Sequence, residues 1–266
     1  MNDRGNPAVD LPTVIGWALI LMPLLTAWHE ICGHALACAV QGGTVTEIGA
    51  FSVRCTGLAG PARIALAGAG VLANTALAVL AWRLWRSART DYGRLVLWWI
   101  WTTQALVVAG YLAFSGLTGV GDFGLAAGGA MAGLDLPRSA GLALAGIGIL
   151  AYFMIIRAGI GSLSAMLGSG PATRQSRRRL TAGYYLAAGT AAVAVSLLNP
   201  QGLMVTLMSA AASTFGGLAG LWPIGARGLS AGEARPFALP RNRIVILAGL
   251  TITGLFALVL GPGFRP

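Results

Sequence analysis

Seven stretches of mostly apolar residues run along the chain, near positions 13 to 40, 61 to 85, 94 to 115, 139 to 160, 180 to 198, 202 to 222 and 243 to 262. Each approaches or exceeds the roughly 20 residues that a helix needs to cross the hydrocarbon of a bilayer. The pattern predicts an all-α polytopic membrane protein of about seven transmembrane helices, gathered in one bundle. The segment from Met1 to Pro12 is polar, with Asp3, Arg4 and Asp10, and lacks the cationic start and small-residue cleavage site of a signal peptide. The first span is therefore expected to be retained.

Between the first two spans the pattern changes to short alternating runs. After Gly42 and Gly43, residues 44 to 48 and 51 to 54 read as two strands turning about Gly49 and Ala50, a small β-hairpin beside the membrane. Two readings stand for it: a simple helix connection, or an edge that holds an extended segment by strand addition. The second span carries Gly68 and Gly70 among closely spaced small residues, which suits close helix packing. Asn74 is its polar exception, and its amide needs a partner within the bundle because lipid offers none.

Composition supports a lipid environment, since 56% of the 266 residues are hydrophobic and only 10% are charged. The net charge of +10 would suggest nucleic acid in a soluble protein, but every basic residue is Arg and most sit at span ends. Nucleic acid is not an expected partner; the lipid bilayer is. Arg83, Arg86, Arg89 and Arg94 fall between spans two and three. Arg174, Arg177, Arg178 and Arg179 fall between four and five, and Arg227, Arg235, Arg241 and Arg243 between six and seven. These loops are expected to share the cytoplasmic side with the N-terminus, leaving 41 to 60 and 116 to 138 on the other. The run Arg177 to Arg179 reads as a topology signal, with contact to anionic headgroups as the alternative. The three cysteines, Cys32, Cys38 and Cys55, include two inside a span, so no disulfide framework is expected, and the spans point to an integral, multi-pass protein of a bacterial cell membrane.

The chemistry is concentrated early. Residues 1 to 138 hold every polar residue with a chemical reading, so they are expected to form a catalytic core of helices 1 to 3 plus the Asp122 loop. Residues 139 to 266, helices 4 to 7, read as a C-terminal scaffold, with 165 to 179 and 223 to 242 polar enough to be linkers.

Inside the first span stands His29-Glu30-Ile31-Cys32-Gly33-His34. A charged residue near the bilayer centre costs on the order of 2.5 to 3.5 kcal/mol, so something must compensate for this cluster. A divalent ion does so, with neutral imidazoles as ligands and the carboxylate placed to take a proton from water. The spacing is HExxGH rather than HExxH, and in a regular helix the two imidazoles would diverge by roughly 140°. A π-bulge over Ile31 to Gly33 would return them to one face, and Gly33 is the residue type that tolerates it.

An HExxGH motif resembles that of the soluble dipeptidyl-peptidase III family, in which both His are ligands and Glu is the base. The wider run His29 to Ala37 with Gln41-Gly42-Gly43 is similar to the His-Glu-Leu-Gly-His-Ala-Leu-Ala pattern of site-2 proteases, which are intramembrane zinc metalloproteases. Gly70-Val71-Leu72-Ala73-Asn74 looks like their Gly-Pro-x-x-Asn element with Val71 in place of Pro. The resemblance covers about residues 13 to 130. It implies a three-helix zinc-protease core, Zn²⁺ held by His29, His34 and Asp122, Glu30 as general base and Asn74 positioning substrate. Asp122 departs from that family's Asn-x-x-Pro and Asp-Gly context; a helix cap or a solvated loop residue is its other reading. The literal GxGxxG at Gly119 to Gly124 follows an apolar span instead of a strand, so it does not signal a dinucleotide site.

The expected function is hydrolysis of peptide bonds in or near transmembrane segments of membrane-protein substrates. Two rivals remain: a metal-ion or proton transporter, which should show ionisable residues along a route through the bundle, and a catalytically silent relative that binds membrane proteins.

Overall fold

The computed structural model describes residues 7–126, 129, 131–134, 136–200, 202–203, 206–228 and 233–266. Asp3 and Arg4 lie outside them. Among the described residues, five helices are long and apolar enough to cross a membrane: Leu11–Val40, Pro61–Ser87, Asp91–Thr118, Arg138–Leu167 and Arg243–Leu260. The first is composite, with α1 (Leu11–Ala27), a π-helical segment Trp28–Ala35 and α2 (Leu36–Val40). The next three are α3 (Pro61–Ser87), α4 (Asp91–Thr118) and α5 (Arg138–Leu167). The fifth and sixth expected spans are instead assembled from pieces. One is α6 (Arg174–Arg178), a π turn Arg179–Gly183 and α7 (Tyr184–Ser196); the other is a π-helical segment Thr206–Gly216 followed by α8 (Leu221–Ala226). Gly216, Gly217 and Gly220 fall where the latter breaks, at positions of poor helix propensity. The last helix is α9 (Arg243–Leu260).

Local chemistry sets the helix starts. The Asp10 carboxylate accepts from the Thr13 amide at 3.0 Å to cap α1, and Asn242 Oδ1 accepts from Ile244 and Val245 to cap α9. The Thr13 hydroxyl joins the two starts, accepting from the Asn242 amide at 2.9 Å. Pro23 has no N–H to give to the carbonyl of Leu19, and the Thr253 hydroxyl of α9 donates to that carbonyl at 2.6 Å instead.

The passes alternate between two ends of the bundle. At one end β1 (Ala8–Val9) pairs in parallel with β4 (Ala238–Leu239), and Arg179 donates to the Val9 carbonyl at 2.8 Å. At the other, β2 (Thr44–Gly49) and β3 (Ser52–Thr56) form the expected antiparallel hairpin. The turn is shifted by one residue from expectation. Ala50 and Phe51 sit inward, Phe51 edge-on to Phe256 of α9, so the chain reverses through Ala50 and Phe51 and the strand resumes at Ser52. The C-terminus closes on this end, where Phe264 bridges Ile48 and Arg265 meets the buried Glu47 at 3.3 Å.

Two sequence expectations are overturned. Cys38 and Cys55 form a disulfide that ties α2 to β3, against the expectation of no disulfide framework. The hairpin folds β3 back over the end of its own helix, so residues 17 apart in sequence meet. Arg177 is neither a free topology signal nor a headgroup contact, for it is 1% exposed. Its guanidinium donates to Thr173 Oγ1, Ser164 Oγ and the carbonyls of Gly168 and Arg227. It clamps α5, α6 and α8 where their connections converge. Arg177→Met should destabilise the fold by about 2 to 3 kcal/mol, the scale of hydrogen bonds to a charged donor, as read from a lowered thermal midpoint in detergent.

The outer faces of α5 and α9 are strongly apolar. Leu142, Leu150, Phe153 and Met154 on the first, and Ile244, Leu247 and Leu258 on the second, are all more than half exposed. Aromatic side chains fill the interior, where Trp98 donates to Ser162 Oγ and Trp99 to the Leu180 carbonyl.

Candidate metal centre

The π-helical segment covers Trp28–Ala35, wider than the expected Ile31 to Gly33 but containing it. In a π turn, residues five apart are one hydrogen-bonded step apart, so His29 and His34 come to the same face. Their Nε2 atoms stand 3.2 Å apart. Gly119, with φ 74°, ends α4 in the left-handed conformation, and Gly121, with φ 89°, turns the chain again directly before Asp122. The Asp122 Oδ2 then lies 3.6 Å from each imidazole Nε2. The glycines that mimic a nucleotide motif thus aim a carboxylate.

These three edges carry the fit to a metal. Donor atoms about 2.0 to 2.2 Å from a tetrahedral ion stand roughly 3.3 to 3.6 Å from one another. The observed triangle of 3.2, 3.6 and 3.6 Å is close to one face of such a tetrahedron. Asp122 Oδ2 is buried with no hydrogen-bond partner among the described residues, and the Nε2 atoms of His29 and His34 face each other within hydrogen-bond distance. His29, His34 and Asp122 form a group able to hold a metal ion. His34 Nδ1 lies 2.9 Å from the Leu66 carbonyl, which takes its proton and leaves Nε2 bare for a metal. Burial would raise the Asp122 carboxyl, but the two imidazoles more than reverse this and hold it below the ordinary carboxylate range, so it offers an anion.

Glu30 is buried beside the triad, and its Oε2 has no hydrogen-bond partner. It lines two cavities that meet at the site. The outer one is walled by the triad, by Phe51, Ser52 and Val53 of the hairpin end and by Arg63. The inner one runs past Glu30 to Asn74, Thr103 and Gln104. Asn74 thus shares a cavity with Glu30, its Oδ1 buried and unpartnered, as is the Oε1 of Gln104. Cys32 stands apart, exposed and free.

No family model, curated protein or solved structure matches the chain. The site is therefore read from its own geometry.

Some of that geometry is new relative to the sequence. Tyr111 of α4 stacks on His29 with ring centres 5.4 Å apart and planes within 10°. Gln104, also on α4, faces the inner cavity, and Ser209, Thr214 and Leu218 bring the C-terminal half into its walls. A tyrosine and a glutamine in an apolar span carried no spacing signal; Gln104 alone, as an amide in a membrane helix, was a usable clue.

Gly33, within the π-helical segment, also meets a neighbouring backbone. A Cβ there would lie 2.5 Å from Gly70 Cα and 2.9 Å from Gly70 N, so the glycine permits close contact between the metal helix and α3. Its backbone needs no left-handed conformation. Gly33→Ala should force the two backbones apart and destabilise the protein by about 1 to 3 kcal/mol, the usual range for overpacking, measurable as a lower thermal midpoint in detergent.

Proposed function

We propose that this protein is an integral membrane zinc metalloprotease, similar to site-2 proteases, that hydrolyses peptide bonds in or near transmembrane segments. The observation that carries the reading is the triangle of His29, His34 and Asp122 donors beside a buried, unpartnered Glu30 carboxylate. The donor set of two imidazoles and one carboxylate suits zinc and leaves a fourth position open, the arrangement of catalytic sites. The apolar outer faces of α5 and α9 and the five long apolar helices support a bilayer as surroundings.

When bound, the ion would supply Lewis acidity, polarising a carbonyl and acidifying a water. The chain does the rest. Glu30 takes the proton from the attacking water and returns it to the leaving amine. The Leu66 carbonyl holds the His34 imidazole in place and in the required tautomer. Asn74 Oδ1, unpartnered in the shared cavity, can accept a hydrogen bond from a substrate backbone N–H. Because a helix keeps its own amides paired, the scissile stretch must unwind before it reaches the outer cavity.

The test combines metal analysis of the purified protein with mapping of new protein termini in membranes containing wild type or Glu30→Gln. Zinc near one equivalent in both forms, with cleavage in wild type alone, supports the proposal. Metal-free wild type, or identical termini from both forms, overturns it. Zinc flux into proteoliposomes would favour a transporter instead.

A further inference from the structure

We infer that the metal centre opens to the non-cytoplasmic, oxidising face of the membrane, so that its substrates are membrane-protein segments approached from that side. This rests on the membrane and protease reading above and assigns the side from which that site works. Two independent observations lead to it.

The first is the distribution of charge between the two ends of the bundle. Three groups of four arginines each, in the connections and the helix ends that flank them, lie at the end where β1 meets β4. The hairpin end has only Arg54, Arg63, Arg138 and Arg265. Discounting Arg177, which is consumed by a buried clamp, still leaves a large excess at the first end. Arginine excess in short loops marks the cytoplasmic side. The metal triad belongs to the other end. His34 is six residues before the end of α2, Asp122 follows the end of α4, and the outer cavity is walled by Phe51, Ser52 and Val53.

The second is the Cys38–Cys55 disulfide, which owes nothing to arginine counts. It sits at the hairpin end and joins the last turn of the metal-bearing helix to β3. Disulfides persist where the surroundings oxidise them and are rare where thiols are kept reduced. Were this end cytoplasmic, the bond would be exposed to reduction and the arginines would lie on the wrong side. Both observations agree on one orientation. The N-terminus is then cytoplasmic and the C-terminus, bridged to Ile48, is outside.

The test is thiol labelling of the full chain in intact bacterial cells, in a Cys32→Ala background. Thr46→Cys reports the hairpin end and Ser87→Cys the α3–α4 connection; both positions are exposed. A membrane-impermeant maleimide should label Thr46→Cys in intact cells and Ser87→Cys only after lysis. The reverse pattern, or equal labelling of both before lysis, overturns the inference. As a second measurement, acid-trapped wild type should show Cys38 and Cys55 alkylated only after reduction, and both thiols free in cells would also overturn it. Neither measurement requires zinc or cleavage, so a failed orientation is distinguishable from a failed protease. With both standing, termini released by wild type should map to the non-cytoplasmic halves of substrate spans.

Discussion

Glu30→Gln is expected to lower peptide cleavage by about 10²- to 10⁴-fold, the share that a positioned acid–base group contributes, while leaving zinc content unchanged. The expectation follows from where Glu30 stands. It is buried next to the donor triangle and shares both cavities with His29, yet it is not one of the three clustered donors. Its Oε2 has no protein partner, which leaves it available to a water or a substrate amide. Glutamine keeps the shape and loses the ability to accept and return a proton. Cleavage would be followed on a substrate found by terminus mapping, with metal measured on the same preparation. A variant that kept full activity would remove Glu30 from the mechanism; one that lost zinc as well would show it acting through the metal site's assembly.

The second large effect is expected at a residue with no side chain. A Cβ on Gly70 would lie 2.5 Å from both Cε1 and Nε2 of His29 and 2.6 Å from Nε2 of His34. The two Nε2 atoms are the donor atoms themselves. Imidazole tips can swing aside into the adjoining cavities, so Gly70→Ala should fold, but only with the donors displaced from the triangle that suits a metal. Zinc affinity should fall by at least the roughly 10- to 100-fold that follows loss of an outer-shell partner, and more if both rings move. Competition with a chromogenic chelator would measure it, beside a thermal midpoint to establish folding. Unaltered affinity would mean that the bound ion lies elsewhere. Gly33→Ala provides the contrast. The clash there is with the backbone of Gly70, so stability should suffer before metal binding does.

What sequence by itself determined is local and periodic. Apolar runs of the right length revealed the long helices, and glycine-bounded alternation revealed the hairpin, because both follow from how side chains repeat along one element. The HExxGH spacing carried its own geometric demand, and the π-helical segment meets it. Asp122 was reachable as the acidic residue beyond the third span, on the same face once spans alternate. What tertiary structure decided depends on which backbone lies against which. That Gly70 backs onto the imidazoles, that Tyr111 stacks on His29, and that the C-terminal half walls the inner cavity come from helix packing that no single span encodes. The same holds for Arg177, which had the sequence signature of a loop arginine and became a buried clamp only because three connections converge on it. Cys38 reads as a packing residue within its helix. Its pairing with Cys55 exists because the hairpin folds back over the helix end, and a partner reached through a turn is invisible to periodicity.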